Sequence, residues 1–382
     1  GLFEVGGGFY AKLRWERAKG KVFRLGRTIS PESIMDNWDD ISGFEETTHP
    51  ENITASMEPV MDNITAGPSR GANRYIDVDL ALRQTLPTQK TTYDERDISL
   101  YALGVGAGSD PMDKKGLQLV YEKHGKGFHV LPTYSVAPVV SGILSHASKT
   151  GKLGPGLNFG LERLLHGEQK TEVFYPMASS GTLTHKSRVV DIFDKGKGAL
   201  VIFETKSYDE DRVEVVRNTL TAFIRGVGGF GGERGPSGKV NVPPEREPDH
   251  IISQKIAASQ ALLYRLSGDW NPLHVDPSFA SAFGFEKPIL HGLCTYGYAA
   301  RHIIETYAKG DPRYFKSIKA RFADSVLPGE TLVTKMWKES DTRIVFQCLV
   351  EERDGLVITN AAVELYTEIP KRPEKEAPQT ES

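Results

Sequence analysis

A carboxylate, a carboxamide and an imidazole lie within six residues of one another, at Asp269, Asn271 and His274. Gly268 precedes them and Pro272 lies among them. Glycine accepts the left-handed backbone that ends a helix, and proline disfavours helical geometry at the residue before it. The pattern therefore predicts a helix that ends at Gly268 and runs into a bent loop. From such a loop a carboxylate, an amide and an imidazole could converge on one water molecule, as acid–base chemistry requires.

The same residues also have an ordinary interpretation, because Asp and Asn side chains often hydrogen-bond the backbone of turns. A second segment favours chemistry. After Gly292, apolar or small residues recur at the spacing of one buried helical face: Leu293, Tyr296, Gly297, Ala300, Ile303, Ile304 and Tyr307. Gly292 then stands at a helix N-terminus, where free N–H groups and the helix dipole favour negative charge. An acid–base pair beside such an amide predicts a reaction centre for a carbonyl compound.

These two segments resemble the signature of the R-specific 2-enoyl-CoA hydratases (hydratase 2) in the MaoC-like hot-dog superfamily. The residues that carry the resemblance are 267–274 (SGDWNPLH) and 288–294 (PILHGLC), and it extends over roughly residues 79–367. The chain looks most similar to the hydratase unit of the multifunctional peroxisomal enzymes. The resemblance implies reversible hydration of trans-2-enoyl-CoA to (3R)-3-hydroxyacyl-CoA in fatty-acid β-oxidation, with acyl-CoA as substrate rather than cofactor.

The resemblance also assigns roles to residues of this chain. Asp269 and His274 would share the catalytic water, and which of them is the acid and which the base stays open. Asn271 would orient that water, and the Gly292 N–H would bind the thioester oxygen. A second set of residues is expected to contact the substrate or shape its site: His166, Gly167, Lys195, His291 and Phe322. Ordinary alternatives for two of these are a turn lysine and a core aromatic residue.

A weak internal repeat divides the body of the chain. Three short segments of the first half resemble three of the second: 100–104 and 263–267, 165–167 and 290–292, 181–183 and 329–332. Each half also has a run of predicted β-strands: 181–193, 198–208 and 212–226 in the first, and 316–324, 330–338, 342–351 and 355–366 in the second. Asp354-Gly355 predicts a two-residue hairpin turn. A helix followed by antiparallel strands, occurring twice, predicts an α+β double hot-dog fold with the two sheets side by side.

The repeat is unequal. Residues 104–108 (GVGAG) stand in the first half where residues 267–271 (SGDWN) stand in the second. The acid, amide and imidazole are therefore expected only in the second half. The resemblance implies that the first half makes room for a long acyl chain, and the glycine-rich residues 151–160 are consistent with irregular structure there.

Beyond this body the chain has three further regions, and the N-terminal one resembles the end of a short-chain dehydrogenase without its Tyr-x-x-x-Lys motif. The predicted organisation is a dehydrogenase tail at 1–47, a linker at 48–78, an acyl-accommodating half at 79–245, a catalytic half at 246–367 and a disordered tail at 368–382. The resemblance therefore implies an upstream dehydrogenase domain, a homodimer and a peroxisomal location. The final residues 380–382 are not a peroxisomal tripeptide of the Ser-Lys-Leu type.

Composition excludes several other classes of protein. A hydrophobic content of 39% is that of a globular protein, and a net charge of −3 opposes binding to nucleic acid by bulk charge. Only Cys294 and Cys348 occur, so no cysteine-rich metal site or disulfide scaffold is expected. No segment reaches the roughly 20 apolar residues of a membrane span. Residues 226–231 satisfy Gly-x-Gly-x-x-Gly, but residues 232–238 cannot begin the helix that a dinucleotide site requires.

Neither a metal nor a cofactor is therefore expected. Two rival functions remain for the same fold. One is a non-catalytic module that binds acyl-CoA, and the other is a hot-dog thioesterase.

Overall fold

The computed structural model describes residues 70–110, 112–235 and 240–373, and its strands and helices fall into two successive halves. The first half contains α1 (Val78–Arg83), β1 (Gln89–Tyr93), α2 (Glu95–Gly104), α3 (Val136–Thr150), β2 (Leu164–Val173), β3 (Gly181–Asp194), β4 (Gly198–Tyr208) and β5 (Glu214–Arg225). The second contains β6 (His250–Lys255), α4 (Gln260–Tyr264), α5 (Pro277–Ala282), α6 (Gly292–Tyr307), β7 (Phe315–Phe322), β8 (Thr331–Lys338), β9 (Arg343–Val350) and β10 (Gly355–Leu365).

One antiparallel sheet joins the two halves. Its strand order is β1-β3-β4-β5-β2-β7-β10-β9-β8-β6, so each half has the same internal order and the halves meet at β2 and β7. At this seam Glu168 lies opposite Arg321, and both side chains are buried. Arg321 Nε donates to Glu168 Oε1 at 2.8 Å, which satisfies a buried carboxylate across the seam. The α+β double hot-dog prediction is confirmed.

The central helix of the second half is α6. It begins at Gly292 as predicted, and its side chains are buried on almost every side through Ile304. The helix packs against β7, β8 and β10. Gly297 permits the closest approach, because a Cβ there would stand 2.4 Å from Val105 Cγ1. Hydrophobic burial on this scale fixes the position of α6 and therefore of its first residue, Gly292.

The internal repeat is confirmed for two of its three segment pairs. Residues 100–104 end α2 and residues 263–267 end α4 with its following 3₁₀ turn, each directly after the edge strand of its half. Residues 181–183 and 329–332 likewise open β3 and β8. The third pairing is wrong. Residues 165–167 lie in β2, whereas residues 290–292 begin a helix, so the two similar triplets occupy different places in the fold.

Two further expectations need correction. Asp354-Gly355 does not make a two-residue turn, because a 3₁₀ turn at Glu351–Arg353 precedes it, and Asp354 closes the loop with a φ of 48°. The linker predicted at 48–78 also extends too far at its C-terminal end. Ile76 is fully buried and Asp77 caps α1, so residues 70–78 belong to the first half. Residues 1–69 and 374–382 of the predicted organisation lie outside the described residues.

The glycine-rich residues 226–231 serve a structural purpose. Asp194 Oδ1 accepts hydrogen bonds from the Gly196 and Gly229 N–H groups, and Asp194 Oδ2 accepts one from Gly231 N–H. Backbone N–H groups that could hold a phosphate thus hold a carboxylate of the same chain. No helix begins between Gly231 and residue 235, where the described segment ends, as the sequence predicts. Among the described residues no helix is long and apolar enough to cross a membrane.

Candidate active site

The loop after α4 has the bend predicted from its sequence. A 3₁₀ turn ends at Gly268, whose φ is 135°, and a Cβ at this position would approach Ala137 O to 3.0 Å. Asn271 then caps the next 3₁₀ turn, Pro272–His274, by accepting a hydrogen bond from Leu273 N–H at 3.1 Å. The loop is therefore held by hydrogen bonds between its own residues, and it turns Asp269 and His274 toward the interior.

Asp269 and His274 lie beside each other. Together with His291, their potential ligand atoms all lie within 4.8 Å of one another. His274 Nδ1 is 2.9 Å from Ile289 O. Because a carbonyl oxygen can only accept, Nδ1 carries the proton in the neutral ring, and Nε2 is left as the basic nitrogen. The pair thus offers a carboxylate and an imidazole lone pair at one place.

Burial shifts the pKa values of Asp269 and His274 in opposite directions. It raises the pKa of Asp269, and the charge of His274 partly offsets this rise. It lowers the pKa of His274, and the charge of Asp269 partly offsets this fall. The usual gap between carboxyl and imidazole pKa values is therefore narrowed. A narrower gap lowers the cost of moving a proton between the two groups, and interacting groups titrate as a pair.

The Gly292 amide is the first N–H of α6. Within the described residues no hydrogen bond to this N–H is found, as is usual for the first turn of a helix. The Phe322 ring would lie 3.2 Å from a Cβ at Gly292. A larger residue would therefore press on that ring and cover the amide. Glycine leaves the dipole end of the helix open to the cavity described next.

A cavity of about 860 Å³ connects these groups and reaches into the first half of the fold. Asp269, Asn271, His274 and Gly292 all line it. The first half contributes apolar side chains from α3, β4 and β5: Val140, Ile143, Leu144, Ala147, Phe203 and Leu220. The candidate acid–base residues thus lie in the second half, and the first half adds a group of apolar side chains to the same cavity. This volume is typical of small-molecule sites.

The remaining predicted site residues divide into two groups. His166 and Phe322 line the cavity, and their rings pack edge to face with the centroids 5.0 Å apart. Burial lowers the pKa of His166 to about 4. Gly167, Lys195 and His291 are not among the lining residues. Lys195 lies in the turn between β3 and β4, where its N–H donates to Gly198 O. Contacts of these three residues with a substrate stay predictions.

Some lining residues escaped the sequence reasoning. The rings of Phe279 and Phe283 stack with their centroids 4.7 Å apart, and both residues line the cavity together with Phe285. Three phenylalanines within seven residues, directly after the signature, were the available signal. Arg225 at the end of β5 also lines the cavity, and burial, followed by the charge of Arg163, lowers its pKa. No local pattern marked Arg225, because only the fold brings the end of β5 to this place.

By distance alone, Asp269, His274 and His291 could hold a metal ion. The two imidazole rings, however, are stacked with their centroids 3.7 Å apart and their planes at 29°. His274 Nδ1 and His291 Nε2 are already bonded to the carbonyl oxygens of Ile289 and Asp269. Lone pairs in nearly parallel planes do not converge well on one tetrahedral ion. We assign no metal to this cluster.

A sheet of two equivalent halves, with a buried helix whose N-terminus lies beside the candidate acid–base pair, defines a double hot-dog protein with a MaoC-like second half. Comparison with known proteins agrees. The MFE-2 hydratase 2 N-terminal domain matches residues 91–226, and the MaoC like domain matches residues 239–361.

Two relatives and one solved structure narrow the family. Enoyl-CoA hydratase 2, peroxisomal, of Arabidopsis thaliana is 42% identical over 73% of this chain and 93% of its own length. Peroxisomal multifunctional enzyme type 2 of Mus musculus is 41% identical over 96% of this chain. The crystal structure of a MaoC-like dehydratase from Phytophthora capsici superposes with a TM-score of 0.67 at 35% identity, covering 76% of this chain and 99% of that one. The chain belongs to the enoyl-CoA hydratase 2 family. It spans 50% of the length of the mouse relative.

Proposed function

We propose that the chain catalyses the reversible addition of water to trans-2-enoyl-CoA, which gives (3R)-3-hydroxyacyl-CoA in fatty-acid β-oxidation. The observation that carries this proposal is that Asp269, His274 and Gly292, the first residue of α6, all line one cavity. Hydration of an enoyl thioester needs a base for water, an acid for C2 and a donor for the thioester oxygen. These three groups supply those functions without a metal or a cofactor.

In the proposed step the oxygen of water forms a bond to C3 while one member of the pair takes its proton. The electrons of the double bond move toward the thioester oxygen, where the Gly292 N–H and the dipole of α6 stabilise the enolate. The other member returns a proton to C2, and the carbonyl re-forms. The two pKa shifts support this exchange, because they bring the proton affinities of Asp269 and His274 together.

Asn271 is the water-orienting residue in this proposal. Its Oδ1 is bonded to Leu273 N–H, which fixes the plane of the amide and leaves its Nδ2 group to hold the water oxygen. Phe322 lies against Gly292 and limits the space in which the thioester can lie. The stereochemical outcome is proposed from the family and is tested below.

The first half is proposed as the place for the acyl chain. Its sheet and α3 line the cavity with apolar side chains, including Leu144, Phe203 and Leu220. Burial of methylene groups there would contribute about 0.8 kcal/mol each. This interpretation retains the predicted division into an acyl-accommodating and a catalytic half.

The setting of the chain is also proposed from its relatives. The Arabidopsis relative is named a peroxisomal hydratase, and the mouse relative is about twice as long as the segment that it shares with this chain. We infer a peroxisomal location, a homodimer and a dehydrogenase domain upstream in the full-length protein, whose tail would be residues 1–47. Size-exclusion chromatography with light scattering tests the dimer directly.

Incubation with crotonyl-CoA and decenoyl-CoA tests the proposed reaction. We expect loss of the enoyl absorbance and, by chiral chromatography, the (3R)-hydroxyacyl product. A module that only binds acyl-CoA would leave the absorbance unchanged, whereas a thioesterase would release a free thiol that a thiol reagent detects. A (3S) product or either of these two results would contradict the proposal.

A further inference from the structure

His291 occupies an unusual position beside the proposed reaction centre. It directly precedes Gly292 and is the capping residue of α6, yet its side chain makes no capping hydrogen bond. Instead, its Nε2 lies 3.0 Å from the backbone oxygen of Asp269. The side chain is 1% exposed and does not line the cavity. Its side chain therefore neither caps the helix nor lines the cavity.

The same ring stacks on a catalytic group. The centroids of the His291 and His274 rings are 3.7 Å apart, and their planes differ by 29°. The centroid of the Tyr264 ring lies 4.8 Å from that of His291, and the two ring planes make an angle of 50°. His291 thus contacts both members of the acid–base pair, one through a hydrogen bond to its backbone and the other through its ring.

The protonation state of His291 follows from these contacts. Nε2 must donate to the Asp269 carbonyl, so Nδ1 carries the lone pair in the neutral ring. Among the described residues Nδ1 has no hydrogen-bond partner, although it is buried. Burial, followed by the neighbouring charge of His274, holds the pKa of His291 well below its usual range. A neutral ring stacked on His274 can remain in place throughout a proton transfer.

We propose that His291 is a positioning residue that ties the oxyanion donor to the acid–base pair. Its backbone continues into Gly292, its Nε2–H holds the loop at Asp269, and its ring holds the plane of His274. One side chain thereby fixes the distances among the three groups that the hydration step needs. The inference rests on the proposed hydratase function. Errors of about 1 Å in such distances can cost up to a hundredfold in rate.

Two variants separate the hydrogen bond from the stacked ring. His291→Phe keeps a ring against His274 but cannot donate to the Asp269 carbonyl. His291→Gln can place an N–H near the position of Nε2 but has no ring. We expect His291→Phe to lower kcat by about ten- to a hundredfold with KM near the wild-type value. His291→Gln should recover part of that loss.

The pH profile distinguishes positioning from a general loss of structure. The stacked ring contributes to the burial that lowers the pKa of His274. In His291→Gln that burial is reduced, so the limb of the kcat profile that reports His274 should move to higher pH, whether His274 acts as the base or as the acid. In His291→Phe the limb should stay where it is. If His291 merely filled space, both variants would be less stable. The pH profile would then not differ between the two variants.

His302→Gln is the matched control. His302 lies on the same helix, is fully buried, and bonds Thr334 and Gln254 away from the cavity. This variant should unfold at lower temperature but keep its pH profile and its kcat per folded molecule, with the folded fraction measured by circular dichroism. Wild-type kcat and pH profile in both His291 variants would overturn the inference, as would a rate loss that vanishes after correction for folded protein. Failure of the wild-type enzyme to hydrate crotonyl-CoA would instead refute the proposed function.

Discussion

The two halves of the sheet share a strand order but differ in what covers their inner faces. In the second half, α6 packs closely on the strands and is buried on nearly all sides. In the first half, α3 turns one face toward a cavity that it shares with β4 and β5. The same arrangement of strands can therefore support either a packed core or a ligand site, depending on how closely its helix lies against the sheet.

The difference is sharpest at one pair of equivalent positions. Gly106 of the first half corresponds to Asp269 of the second. Gly106 has a φ of 77°, and a Cβ there would lie 2.3 Å from the Tyr298 ring of α6. The central helix of the second half therefore occupies the space that a catalytic side chain would need in the first. A side chain equivalent to Asp269 therefore does not fit at Gly106 in the loop of the first half.

The largest expected effect is the loss of that chemistry. Asp269→Asn or His274→Ala should lower kcat/KM by about two to four orders of magnitude, because each removes one partner of the proton exchange. Steady-state hydration of crotonyl-CoA measures the change, and circular dichroism checks the fold. Wild-type turnover in either variant would contradict the acid–base assignment and remove the proposed contrast between the halves.

A smaller but more selective effect is expected in the first half. Ala137 lies against Gly268, and Ala147 lies ten residues further along α3, which is about 15 Å at 1.5 Å per residue. Ala147→Phe should therefore obstruct the distant part of the cavity and affect long acyl chains most. The ratio of kcat/KM for hexadecenoyl-CoA to that for crotonyl-CoA should fall by about ten- to two-hundredfold.

Ala147→Ser is the matched control for this substitution, because it changes polarity with little change in volume. An unchanged ratio in Ala147→Phe would place the acyl chain elsewhere. An equal loss for both substrates would mean that the cavity is needed for folding or for binding CoA rather than for chain length.

Local sequence patterns predicted the parts of the site that depend on chain neighbours. The bend at Gly268, the loop carrying Asp269 and the helix beginning at Gly292 follow from residue types within a few positions of each other. Strands β3–β5 and β7–β10 were also predictable, because their alternation is local, whereas β1, β2 and β6 were not predicted. The double hot-dog fold followed once the repeat and the family resemblance were recognised.

The parts that were missed depend on contacts between distant segments. Residues 165–167 resemble 290–292 in letters, but β2 is a strand because it pairs with β5 and β7. The bond between His291 and the Asp269 carbonyl involves a backbone atom, which leaves no trace in residue type. Likewise, Phe203 of β4 and Ala147 of α3 line the same cavity although they are far apart in the chain.

Asn271→Ala should reduce activity less than loss of Asp269 or His274. The amide orients water but exchanges no proton, so we expect a decrease in kcat of somewhat more than tenfold, equivalent to about 1.4 kcal/mol. Asn271→Asp provides the comparison, because it keeps the acceptor for Leu273 N–H but adds a charge beside Asp269. If Asn271→Ala retained full kcat, the water would have to be oriented by other groups.

The smallest effect on chemistry is expected at Gly106, the counterpart of Asp269. Gly106→Ala places a Cβ against the Tyr298 ring at a position with positive φ. The free energy of unfolding should therefore fall by about 1–3 kcal/mol. Hydration per folded molecule should stay at the wild-type level, because the first half contributes no proton transfer.

Denaturant unfolding and crotonyl-CoA kinetics on the same preparation separate stability from activity. Gly284→Ala is the control for a positive φ alone, since a Cβ there meets no atom within 4 Å. Equal destabilisation of both variants would attribute the cost to backbone strain, and a loss of kcat in Gly106→Ala alone would mean that the first-half loop takes part in catalysis.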